Sequence, residues 1–353
     1  MKKNIQLSIL LIFLVFTKNE AFAQQDPYIT HYAFNRMLYN PAAAGAGQRY
    51  CFTALSHYQY LGYEDRTPEL YDLNKVEAPQ KNVGPKTQMF SFSAPVTKYG
   101  GLGIGFINDK LGYESSTHVK IDAAGRIPLA SGATIALGFE ANILQKGIEG
   151  GMLKPLAPGD PSIPTNTVQD MHPVFGGGVY YTDPMQNSVS TRNLWVGLSV
   201  LNINSPTFEF STPGGNSITF STPEKNIHLM GGITMEDFLG NPNLKFHPSA
   251  KFKRAGVNQI DLTGLVEYQD KLWGGLAYRS TSDAVSILLG YSGFKGKLQG
   301  LRVGYSYDLT LSRILSVSSG THELQLNYCF DIKIDPPKKI NILTPPFMNR
   351  QSD

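Results

Sequence analysis

The sequence predicts an all-β protein, a transmembrane outer-membrane β-barrel of about 14 antiparallel strands with an N-terminal plug or lead-in segment. Three observations carry that expectation. An export signal is followed by no apolar run long enough for a spanning helix. Segment after segment alternates apolar and polar residues. The long connections between these segments all fall at odd-numbered gaps.

The elements are justified in chain order. Residues 1–23 read as a signal peptide. Lys2 and Lys3 supply the positive start, 5–16 the apolar core and Ala21-Phe22-Ala23 the small-residue cleavage site. The core is shorter than the roughly 20 residues a spanning helix needs, and no Cys follows the cleavage site to take a lipid anchor. Export by the Sec route to the outer membrane is the expected address. Removing Lys2, Lys3, Lys18 and Glu20 takes 31 basic and 28 acidic residues to 28 and 27. The chain is then nearly neutral, and nothing in it suggests a nucleic-acid partner, which would call for a clustered basic patch. Residues 24–47 are aromatic and Asn-rich and end in small residues. A short helix, a plug and a periplasmic lead-in all fit that composition, and the sequence does not choose among them.

The barrel is expected over 48–333, with strands near 48–58, 87–97, 101–108, 116–127, 132–146, 172–182, 193–203, 225–236, 244–254, 257–269, 272–280, 284–294, 298–309 and 321–333. In the first, Tyr50, Phe52, Ala54 and Tyr58 oppose Cys51, Thr53 and His57. In the fifth, Ile135, Leu137 and Phe139 oppose Thr134, Ala136, Gly138 and Glu140. In the last, His322, Leu324, Leu326, Tyr328 and Phe330 oppose Glu323, Gln325, Asn327 and Cys329. Apolar side chains outside and polar ones inside suit a membrane wall. A soluble sandwich or propeller is the competing architecture. No blade-length repeat is visible, and the apolar faces exceed what a solvated surface carries. The long gaps are 59–86, 147–171, 204–224 and 310–320, all odd in order, whereas most even gaps are tight. Outer-membrane barrels have short periplasmic turns and long external loops, so the odd gaps face outward. Residues 334–353, with four prolines among them, read as a periplasmic tail.

Little in the sequence points to catalysis. Gly101-Leu102-Gly103-Ile104-Gly105 lies within a strand pattern and opens no helix, so close packing inside a barrel explains it better than phosphate binding. His322-Glu323 lacks the helical H-E-x-x-H spacing of a metalloprotease. No nucleophile–base pair or metal-spaced cluster stands out, and no cofactor and no enzyme activity are expected. Inward carboxylates Glu140, Asp261, Glu267 and Glu323 suit either ion pairing that holds a plugged barrel rigid or an ion-selective channel. Closure makes the first and last strands neighbours. Cys51 and Cys329 are then expected close together near the periplasmic rim, both pointing inward, in a compartment that permits a disulfide.

Two segments resemble a known family. Gln25-Asp26-Pro27, His31-Tyr32-Ala33-Phe34-Asn35, Tyr39-Asn40-Pro41-Ala42 and Gly45 are similar to the opening signature of the PorP/SprF family, type IX secretion system membrane proteins of the Bacteroidetes. Gly304-Tyr305-Ser306-Tyr307-Asp308 with Gly320-Thr321-His322-Glu323 is similar to its closing signature. Arg36 and Thr321 depart from the usual pattern. The resemblance implies an outer-membrane barrel of the type IX secretion and gliding machinery, bedded in outer-membrane lipid. Its implied partners are periplasmic ring or peptidoglycan-binding components and a secreted, adhesin-type surface cargo. An outer-membrane porin or solute channel is the alternative. Candidate docking or packing residues are Phe34, Asn35, Asn40 and Pro41 at the start and Tyr307, Asp308, His322 and Glu323 at the end, expected to pack against one another.

Overall fold

The computed structural model describes residues 27–65, 80–81, 83–153, 160, 163–185, 191–211, 217–280, 284–310 and 318–331. The expected signal peptide and tail lie outside the described residues. Fourteen strands form a closed barrel. In chain order they are β1 (Tyr50–Tyr58), β2 (Lys86–Thr97), β3 (Gly100–Leu111), β4 (Glu114–Pro128), β5 (Thr134–Glu149), β6 (Thr167–Asp183) and β7 (Thr191–Leu201). They continue as β8 (Asn226–Met235), β9 (Leu244–Ala255), β10 (Val257–Tyr268), β11 (Leu272–Arg279), β12 (Ala284–Tyr291), β13 (Leu301–Thr310) and β14 (Thr321–Phe330). Each strand pairs antiparallel with its neighbours in sequence. The ring closes where β1 meets β14, from Tyr50 opposite Phe330 to Tyr58 opposite His322. A closed ring leaves no edge unpaired, which is what a bilayer demands of strands. Two short ribbons, Phe208–Ser211 with Ser217–Ser221 and Glu64–Asp65 with Gln80–Lys81, belong to the loops.

The wall has the polarity that the alternation predicts. On β4, Ile127 is 59% exposed while Arg126 beside it is 5% exposed. That inverts a soluble protein and places the apolar face against lipid. Aromatic side chains gather on the outer face at the two ends of the seam. Tyr50, Phe52, Phe92 and Phe330 stack at one end, with Phe52 and Phe92 centroids 4.5 Å apart. Tyr58, Tyr305, Tyr307 and His322 stand at the other. Such girdles mark the two membrane interfaces.

The longest connections, 59–85, 150–166, 202–225 and 311–320, follow odd-numbered strands and leave by one rim. The other rim holds tighter turns, such as 98–99, 129–133 and 269–271. The wall is uneven in height. Strands β4, β5 and β6 run for 15, 16 and 17 residues, whereas β11 and β12 have 8 each. A crossing takes about 9–11 residues, so the β4–β6 side rises beyond the bilayer at the long-loop rim. The alternation in the sequence ends strand five at 146 and starts strand six at 172. The structure carries them to Glu149 and back to Thr167. Above the membrane the outer face no longer meets lipid, so residues such as Gln145, Lys146, Gln169 and Asp170 are polar on both faces and no longer alternate.

The lumen and the segment inside it

The lumen-facing residues of this barrel include many charged ones. Lys120, Asp122, Arg126, Glu140, Lys146, Lys251, Asp261, Arg279, Asp308 and Glu323 are all buried. Charges removed from water are tolerated when they are paired and hydrogen-bonded. Two networks supply much of the pairing. On one side of the barrel, Lys120 Nζ lies 2.6 Å from Glu140 Oε2. Across the lumen, Lys251 Nζ lies 2.8 Å from Asp261 Oδ2, and Arg279 bridges Asp261 at 3.5 Å and Asp308 at 3.7 Å.

Residues 27–46 run inside this charged wall. Their backbone makes three single turns of 3-10 helix, Tyr32–Phe34, Arg36–Leu38 and Pro41–Ala43. The third starts on local chemistry. Asn40 Oδ1 accepts from the Ala42 amide at 3.0 Å, and Pro41 occupies a helical position whose N–H would be spare anyway. The segment then satisfies its polar groups against the wall. Lys120 Nζ donates to Leu38 O at 3.1 Å, Arg126 donates to Ala44 O, and the Gly45 amide donates to Ser93 Oγ at 2.7 Å.

Glu323 meets four groups at once. Its carboxylate accepts from the backbone amides of Thr30 at 3.0 Å and His31 at 2.9 Å. It also meets His31 Nδ1 at 2.5 Å and His57 Nδ1 at 2.9 Å. One carboxylate on β14 thus ties the first described turn of the chain to the barrel seam. Asp308 adds to this junction by accepting from Thr30 Oγ1 at 3.4 Å.

Glycines make room for the segment. A Cβ on Gly138 would collide with the Ala42 backbone, one on Gly101 with Ala44 O, and one on Gly103 with Met37 Sδ. The glycine run on β3 therefore serves close approach. Gly178 and Gly197 open a slot into which Asn40 reaches, where its Nδ2 donates to Val179 O at 2.9 Å.

The eight candidate residues divide. Asp308 and Glu323 face the lumen and meet the start of the chain, but through Thr30 and His31. Phe34 packs on Trp273, centroids 4.9 Å apart, with the Arg302 guanidinium over its ring. Asn35 Nδ2 donates to Ser91 Oγ at 2.9 Å, and Asn40 and Pro41 lie against β5 to β7. Tyr307 and His322 point outward instead. Their rings meet at 5.1 Å in the outer girdle, and His322 Nδ1 lies 2.7 Å from Tyr305 OH. Odd and even positions of one strand cannot share a face, so neighbours in the closing signature separate. Cys51 and Cys329 face each other across the seam, Cα atoms 4.1 Å apart and sulfurs joined. His31, His57 and Arg279 are central here and were not selected from sequence. His57 lay on the inward face of its strand and His31 within the opening signature, and only those placements hinted at them. Among the described residues, no group of three or more His, Cys, Asp or Glu is placed to hold a metal.

A closed, outward-apolar barrel with a charged lumen is an outer-membrane protein. The chain belongs to the family of type IX secretion system membrane proteins PorP/SprF, whose model matches residues 21–328. No curated protein matches the sequence. Among solved structures, the Ralstonia pickettii toluene transporter TbuX is 13% identical, with 83% of this chain and 91% of that chain covered and a TM-score of 0.43. The Pseudomonas putida toluene transporter TodX is 10% identical, with 86% and 93% covered and a TM-score of 0.45. At those scores no transport activity carries over to this chain.

Proposed function

We propose that this barrel is a stoppered docking component of the type IX secretion machinery. In this reading it binds periplasmic ring or peptidoglycan-binding components at its short-turn rim. At its long-loop rim it helps secrete or anchor an adhesin-type surface protein. No catalytic step is assigned to it. The observation that supports docking over diffusion is the segment 27–46, which lies across the lumen and engages Ser91, Lys120, Arg126, Tyr180, Ser199 and Glu323 of the wall. A porin keeps a water-filled channel, and here buried ion pairs and a packed peptide take that space.

The raised β4–β6 wall is the surface best suited to a cargo. It is braced by Lys146 to Glu114 at 3.1 Å and by Lys110 to Glu149 at 3.2 Å. The Phe208–Ser211 ribbon packs on it, with Phe208 fully buried against His172 at 5.0 Å. The test is co-purification from native membranes after mild crosslinking. Recovery of a periplasmic secretion component and a large surface protein is expected, with the surface protein lost on deletion of 208–221. Recovery of the barrel alone under crosslinking would refute the docking role.

A further inference from the structure

The short-turn rim opens on a cavity of about 560 Å³ beneath the inner segment. Trp195 and Trp273, the only two tryptophans of the chain, both line it. Arg36 and Arg302 line it as well, and their charges differ in how they are met. Arg302 is paired with Glu267 at 3.3 Å. Arg36 donates to the Ala33 carbonyl and the Tyr180 hydroxyl, each at 2.9 Å, and lies over Trp195 at 4.2 Å. Among the described residues, no carboxylate pairs with Arg36.

A wide, open groove lies on the lipid-facing side of β8 to β12. Its floor is made of small residues, Gly231, Ala250, Gly264 and Gly275 among them, with Leu262 and Leu276 at its sides. The vestibule and the groove share Ile233, Pro248 and Ser249 as the wall between them. The wall's ladder lapses at the same place. Strands β8 and β9 pair as far as Gly232 opposite Ser249 and resume only at Met235 opposite Phe246. Pro248 has no N–H to give to a ladder.

We propose that the vestibule and the groove form one binding site for a long-chain acyl anion. The carboxylate of a fatty acid sits on the Arg36 guanidinium between the two indoles, and its alkyl chain passes the wall beside Pro248 into the lipid-facing groove. Charge selects the vestibule end: of the carboxylates that line it, Glu267 is taken by Arg302 and His247, and Asp183 accepts from the Tyr181 hydroxyl and the Met185 amide, so the Arg36 guanidinium is the cation left to meet an anion. Apolarity selects the other end, because the groove faces hydrocarbon. Neither half alone calls for an amphipathic ligand; their shared border does. This site does not depend on the secretion reading.

The two tryptophans supply the test. Purified full-length protein in a non-ionic detergent is titrated with 5-doxylstearic acid and, separately, with its methyl ester, and tryptophan quenching is read. Saturable quenching by the acid is expected, with the ester needing at least tenfold more. Arg36→Gln should bring the acid to the ester's level, Arg36→Lys should keep the preference, and Ala250→Phe, which fills the groove, should weaken the acid several-fold. Heat-modifiable migration on gels checks that each variant barrel is folded. Equal quenching by acid and ester in the wild-type protein, non-saturable quenching, or a preference that survives Arg36→Gln overturns the proposal.

Discussion

Replacing Glu323 with leucine tests whether the start of the chain is fastened to the barrel seam. The carboxylate accepts two backbone amides, Thr30 at 3.0 Å and His31 at 2.9 Å, and two imidazoles. It is buried, so no water replaces it in place. A buried donor left without a partner costs about 1–3 kcal/mol. Two amides alone therefore weaken the local docked state by about 3 kcal/mol, taking a value toward the middle of that range and allowing for relaxation. At 1.4 kcal/mol per decade, that raises the open population of residues 29–34 by about a hundredfold. The expected loosening is local, because Asn35 remains on Ser91, Asn40 on Val179 and Lys120 on Leu38. Hydrogen exchange by mass spectrometry in nanodiscs reads this directly. Peptides over 29–34 should exchange about a hundredfold faster, while those over 40–46 change little. Unchanged exchange at 29–34 would show that Glu323 does not hold the segment, and the reasoning fails there.

Other outcomes follow from the same geometry. Gly138→Val should expel the Ala42 turn, giving fast exchange at 40–46 in a barrel that still migrates as folded. Asp261→Asn removes the charge that meets buried Lys251 at 2.8 Å and should lower barrel stability by about 3–5 kcal/mol in urea titration, with Lys251→Met in the same chain restoring much of it. Replacing Cys51 and Cys329 together by serine removes a link across 278 residues and should cost about 2–4 kcal/mol in the same assay. Alkylation without reductant should leave both thiols of the native protein unlabelled.

Much of the wall was legible in the sequence because a membrane barrel repeats one rule. Ile135, Leu137 and Phe139 against Ala136, Gly138 and Glu140 could be assigned to two faces by counting. The strand tops were harder, since polar runs such as Ser115-Ser116 and Gln169-Asp170 stand in water on both faces. Residues 24–47 carry no period at all. From residue 27 the path is set by distant partners, with Asn40 held by carbonyls on β6 and β7 and His31 by a carboxylate on β14. Nothing local encodes those meetings. The closing signature shows the same limit in miniature: Asp308 and Glu323 turn in, Tyr307 and His322 turn out, and only strand parity separates them.

Planar-bilayer conductance compares the intact barrel with a variant lacking residues 27–46, and it bears most directly on the stoppered lumen. The account predicts a silent wild-type protein and steady, ion-conducting openings from the deletion variant. Steady openings of equal size from both would contradict it.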